Sequence, residues 1–115
     1  MIAVIFEVWV KPECQQGYLD VAAASRTELD RIEGFISIER FQSFAETGKI
    51  LSLSFWRDEK AIQDWRTLEV HRLAQSVGRT KLFKDYRLRI ASIVRDYGMT
   101  DRAQAPLDSQ QIHQG

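Results

Sequence analysis

The run I-A-V-I-F-E-V-W-V, residues 2–10, constrains the fold more than any other stretch of the chain. In an extended strand Ile2, Val4, Phe6, Val8 and Val10 share one face, and Ala3, Ile5, Glu7 and Trp9 share the other. Both faces are mostly apolar, so this strand is expected at the centre of a sheet, covered on both sides. Glu7 breaks the pattern. A carboxylate in the middle of a central strand is costly unless it is paired or protonated.

The remaining elements follow from changes of hydrophobic period. Residues 15–33 show helical spacing at Tyr18, Leu19, Ala22, Leu29 and Ile32, and Gly34 stops the helix. Two alternating runs, 35–44 and 50–56, flank A-E-T-G-K and predict a β-hairpin. Asp58 is the expected N-cap of a second helix that turns Ala61, Ile62 and Trp65 inward. A further stripe, Val70, Leu73, Ala74 and Val77, is out of phase with Trp65 and ends at Gly78. A kink or short turn near Arg66-Thr67-Leu68 would resolve the mismatch and let Trp65 and His71 face one cavity from two sides. The last β run, residues 86–97, alternates Leu88, Ile90, Ser92 and Val94 against Arg87, Arg89, Ala91, Ile93 and Arg95.

The order β-α-β-β-α-β predicts an α+β fold, the ferredoxin-like split βαβ with a four-stranded antiparallel sheet and helices on one face. One domain is expected over residues 1–98. A polar tail over 99–115 follows, either disordered or an arm draped on a partner subunit. Phe35, Phe41, Trp56 and Trp9 or its neighbours are expected on the face away from the helices. Large apolar groups are seldom left in water there, so packing against a second copy's sheet predicts a homodimer.

Composition narrows the function classes. The chain of 115 residues carries 16 basic and 16 acidic side chains and has no net charge. That leaves no footprint for nucleic acid or an anionic membrane. The single cysteine, Cys14, excludes an intramolecular disulfide framework and a multi-cysteine zinc site; a small residue at a helix entry is its expected role. The N-terminal run lacks a basic n-region and no apolar run reaches the roughly 18 residues of a membrane span, so a cytoplasmic location is expected. Gly-rich phosphate loops, a Ser-His-Asp order and a metal triad are absent from the sequence, and no metal is expected.

The hairpin G-F-I-S-I-E-R-F-Q-S, the run L-S-L-S-F-W-R-D-E-K-A-I-Q-D-W and the following E-V-H-R resemble the antibiotic biosynthesis monooxygenase domains over roughly residues 1–98. The resemblance implies a dimeric α+β barrel. It also implies a cofactor-independent oxygenase that holds a small aromatic or quinol-like substrate between sheet and helices, the substrate itself supplying electrons to O₂. Haem-degrading members of this type use an asparagine on the first strand, a tryptophan in the second helical region and a histidine ten residues further on. Here Trp65 matches the tryptophan, Glu7 stands at the first-strand position, and ten residues beyond Trp65 is Gln75. Haem binding through His71 is therefore an alternative to the expected absence of a cofactor, and a non-catalytic dimeric small-molecule-binding module is another.

Two groups stand out for proton handling. His71, the one histidine outside the tail, has a near-neutral pKa suited to a general base; a partly buried histidine hydrogen-bonded to backbone or Gln75 is the structural counterpart. Glu7 is either the acceptor of a phenolic proton or one half of an ion pair with Arg87 or Arg89, since the first and last strands are adjacent in this topology. Glu39 and Arg40, mid-strand on the hairpin, carry the same ambiguity. Trp65, Phe6, Trp9, Phe83 and Arg89 are the expected substrate-binding residues.

Overall fold

The computed structural model describes residues 1–75 and 83–108, with side chains for residues 1–67 and 83–108. Its elements are β1 (Ile2–Val10), a single 3-10 turn (Pro12–Cys14), α1 (Gln15–Leu29), β2 (Phe35–Gln42), β3 (Lys49–Trp56), α2 (Glu59–Gln75) and β4 (Phe83–Ser92). The sheet runs β2-β3-β1-β4, and every neighbouring pair is antiparallel. This is the expected β-α-β-β-α-β order, with β1 central.

Alternation along β1 separates two sets of contacts. Val4 packs with Leu29, Trp56, Ala61 and Ile62 under the two helices. Val8 and Val10 pack with Tyr18 and Ile50 at the other end of that face. The sheet's helix side therefore carries the core, as expected for a strand face apolar at every second position.

Trp56 is fully buried within that core, where Phe35 meets it edge-on at 5.1 Å and Trp65 at 5.7 Å. Phe35 and Trp56 thus lie on the helix side and not on the opposite face expected for them; Trp56 continues the buried alternation of Ile50, Ser52 and Ser54. The reason for Phe35 is a bulge. Phe35 pairs with Trp56 and Ser37 with Phe55, so Ile36 is an extra residue and the face is switched at the strand's start. Phe41, Leu51, Leu53, Phe55, Ile5 and Trp9 line the opposite face.

Boundaries shift where pairing ends. β4 stops at Ser92 because its partner Ile2 begins β1, and the Ile93 amide donates the last bond, to the Met1 carbonyl. It starts at Phe83 because β1 continues to Val10. α1 ends at Leu29, several residues before Gly34, which stands at φ 94° and whose carbonyl accepts from the Arg57 amide. A Cβ there would lie 2.9 Å from the Ala61 Cβ, so both the backbone angle and the helix approach require glycine.

Asp58 caps α2 as expected, its Oδ1 accepting from the Ala61 amide at 3.0 Å. The helix then runs through Arg66–Leu68 without interruption, so no turn breaks it there. The stripe Val70, Leu73, Ala74 and Val77 and the stop at Gly78 fall outside the described side chains. In the tail, the Gly98 amide donates to the Asp101 carbonyl and the Asp96 amide to Gln104 Oε1, while Arg102 stacks on Tyr97 at 5.0 Å. Residues 109–115, His113 among them, lie outside the described residues.

Candidate active site

Cross-strand register lays the helix-side face out in rows. Gln42, Ile50, Val8 and Tyr86 form one; Arg40, Ser52, Phe6 and Leu88 the next; Ile38, Ser54, Val4 and Ile90 the third. Ser52 and Ser54 are buried on this face. Ser54 accepts a 2.8 Å hydrogen bond from the Trp56 indole Nε1, which satisfies both groups without water.

The β4 end of these rows is different. Tyr86, Leu88 and Ile90 are 60%, 42% and 43% exposed although they stand on the core side of the sheet. Phe6 sits between them and the buried strands, 5.8 Å from the Tyr86 ring and 6.3 Å from Phe83. Phe83 in turn meets Tyr18 of α1 at 5.7 Å. The rings meet at tilted or edge-on angles, the arrangement aromatic groups prefer when they pack as a cluster. The result is an aromatic and aliphatic wall, partly accessible, on the helix side of an edge strand.

The sequence-derived site residues divide between the two sides of the sheet. Phe6 and Phe83 lie in this wall. Trp65 shares their side but packs on Trp56 and the Val4 cluster. Glu7, Trp9 and Arg89 are brought together on the opposite side. Glu7 Oε1 accepts from Arg89 Nη1 at 3.1 Å, and its Oε2 lies 3.5 Å from Lys49 Nζ. Lys49 also reaches Glu46 at 3.6 Å and rests over the Trp9 ring at 5.0 Å. Both carboxylate oxygens are thus matched by cations, the ion-pair alternative raised by the sequence. The sheet itself separates Glu7 from Phe6 and Phe83. His71 belongs to α2, but its side chain and that of Gln75 lie outside the described residues; α2 is unbroken between Trp65 and His71, so no turn separates them.

Tyr86, Leu88, Ile90 and Tyr18 were not picked out as site residues from sequence. For Tyr86, Leu88 and Ile90 the signal is the Y-R-L-R-I alternation, which marks one face of the strand. What the alternation does not reveal is that β4 ends the sheet. Among the described residues no group of three histidine, cysteine or acidic side chains could hold a metal ion, and no described helix is long and apolar enough to cross a membrane.

Fold and wall together define a class: a ferredoxin-like α+β domain with a partly open aromatic surface between an edge strand and the helices. The chain belongs to the antibiotic biosynthesis monooxygenase family, whose sequence model matches residues 1–77. It is 46% identical over 93 residues to jasmonate monooxygenase ABM of Pyricularia oryzae, a match covering 81% of this chain and 43% of the relative. The chain thus spans less than half the length of that curated relative. It is 30% identical over 93 residues to the uncharacterised protein YqjZ of Bacillus subtilis, covering 81% of this chain and 79% of that one. Among solved structures it resembles the heme-degrader MhuD of Mycobacterium tuberculosis with two hemes in its active site. That match has a TM-score of 0.66 and 13% identity, over 85% of this chain and 100% of the other. At such identity the likeness is one of fold.

Proposed function

We propose that the chain is a cofactor-independent monooxygenase that oxidises a small aromatic or quinol-like molecule with O₂. The observation that carries this reading is the partly exposed wall of Phe6, Phe83, Tyr86, Leu88 and Ile90 in a member of this family. A flat apolar substrate buries its body against such a surface and leaves a reactive hydroxyarene for O₂. In the oxidation of a hydroxyarene to a quinone, one oxygen atom enters the ring and the other leaves as water. The substrate supplies the four electrons and both hydrogens, so no further reductant is needed.

His71 is the proposed proton acceptor, because deprotonating the hydroxyarene raises its electron density and imidazole titrates near neutral pH. Trp65 is proposed to brace the helix that carries it. Glu7, Trp9 and Arg89 face the other way, where Ile5, Leu51, Leu53, Phe55 and Phe41 form an apolar field. We propose that this field packs on a second copy, with the Glu7 ion pairs at its edge, and that the protein works in the cytoplasm.

The alternative, haem binding or degradation through His71, finds less support: the first-strand position matched to an asparagine is Glu7, which pairs with Arg89 and Lys49 on the side away from the helices. Oxygen uptake with naphthols and quinols, and with jasmonate plus an electron donor, tests the reading on metal-free protein beside a hemin titration. Uptake without hemin supports the oxygenase; a stoichiometric Soret band lost in His71→Ala, with no uptake in its absence, replaces it by the haem reading.

A further inference from the structure

We propose that Arg40 recognises a carboxylate on an otherwise apolar ligand seated on the aromatic wall, so that the substrate class is an apolar monocarboxylate. This inference rests on the reading of that wall as the substrate site.

Arg40 stands opposite buried Ser52 in the β2–β3 register, on the side of the sheet that faces the helices. Its guanidinium carbon lies 6.0 Å from the centroid of Tyr18. From Tyr18 the rings continue through Phe83 and Phe6 to Tyr86 at 5.7, 6.3 and 5.8 Å. A cation therefore closes one end of a continuous aromatic line whose other end is open.

The state of that cation is the telling feature. Its Nε is shut off from solvent and has no hydrogen-bond partner. Arg26 pairs with Asp30, Arg57 with Asp58 and Glu33, and Arg89 with Glu7, whereas Arg40 forms no ion pair among the described residues. A donor both buried and unmatched is rare in folded proteins and calls for a specific cause. A guanidinium presents Nε and a terminal nitrogen as a fork that fits a carboxylate with two parallel bonds. An anion drawn to the terminal nitrogens of half-buried Arg40 meets the unmatched Nε once the side chain shifts to admit it, while its apolar body lies along Phe83 and Phe6. On the opposite side of the sheet a ligand would meet an apolar field bordered by the ion pairs of Glu7 with Lys49 and Arg89.

The test is calorimetric titration of the full chain with 1-naphthylacetate and its neutral isostere 1-naphthylacetamide, for the native protein, Arg40→Gln and Arg40→Lys. The native protein is expected to bind the acetate about tenfold or more tighter than the amide, the yield of a charge-assisted pair. Arg40→Gln should bind the two alike, and Arg40→Lys should keep part of the preference. Equal binding by the native protein, or a preference undiminished in Arg40→Gln, overturns the carboxylate site and leaves the wall reading in place. Binding of neither ligand also overturns it, and oxygen uptake with neutral 1-naphthol then decides separately whether the wall reading survives. Should Arg40→Gln lose its circular-dichroism signal, the native protein and Arg40→Lys suffice for the comparison.

Discussion

Asp58 shows how one side chain sets both a helix start and a pH response. The Ala61 amide and then the Arg57 guanidinium hold its carboxyl below the ordinary value of 3.8. A carboxylate whose folded pKa is depressed contributes stability above its unfolded pKa, and that contribution is lost as pH falls through the folded value. Asp58→Ala is therefore expected to lower the melting temperature at pH 7. The gap to the native protein should narrow as pH falls below 3.8, which thermal unfolding at pH 7 and in acid measures. Gly34 is the second critical residue, because a side chain there meets both a φ of 94° and the Ala61 Cβ. Gly34→Ala should cost about 2 kcal/mol or more in urea unfolding.

At the level of elements, β3 ties the sheet to both helices through Trp56. Trp56→Ala should cost about 3–5 kcal/mol, since it empties a fully buried site between Phe35 and Trp65. Trp56→Phe keeps most of the volume but takes the indole donor from Ser54, so a loss of about 1–2 kcal/mol is expected. Both are read from denaturant midpoints. Element type and order were legible in the sequence because strand and helix periods alternate cleanly, and the Asp58 cap was legible from turn chemistry, whereas the first helix ends at Leu29, before the glycine expected to stop it. Faces were less so. The bulge at Ile36 changes which side Phe35 takes, and no local pattern announces an extra residue in a strand. The kink expected at Arg66–Leu68 followed from assuming that one stripe must face one core. α2 instead runs on as one helix. Of the candidate site residues, Phe6 and Phe83 come together on the helix side, whereas Glu7 pairs with Arg89 on the neighbouring strand.

The whole molecule is a sheet with two unlike faces. The helix side holds the core and the aromatic wall; the other side carries Ile5, Leu51, Leu53, Phe55 and Phe41, bordered by the Glu7, Lys49 and Arg89 charges. If that second face joins two copies, sedimentation should give twice the 13.3 kDa of one chain. Leu53→Glu, which sets a charge in the middle of the field, should return a folded monomer. A native protein that sediments as a monomer at all concentrations would remove the dimer from the account. A functional division between the faces is also implied, and it decides which residues matter for turnover. The measurement that tests this most directly is oxygen uptake with a naphthol or quinol substrate by the native protein, Phe6→Ala and Glu7→Gln. The expected result is turnover by the native protein, a fall of about tenfold or more in kcat/KM for Phe6→Ala, and a rate within about twofold of native for Glu7→Gln. Loss of turnover in Glu7→Gln with Phe6→Ala unaffected would put the chemistry on the opposite face and contradict the account.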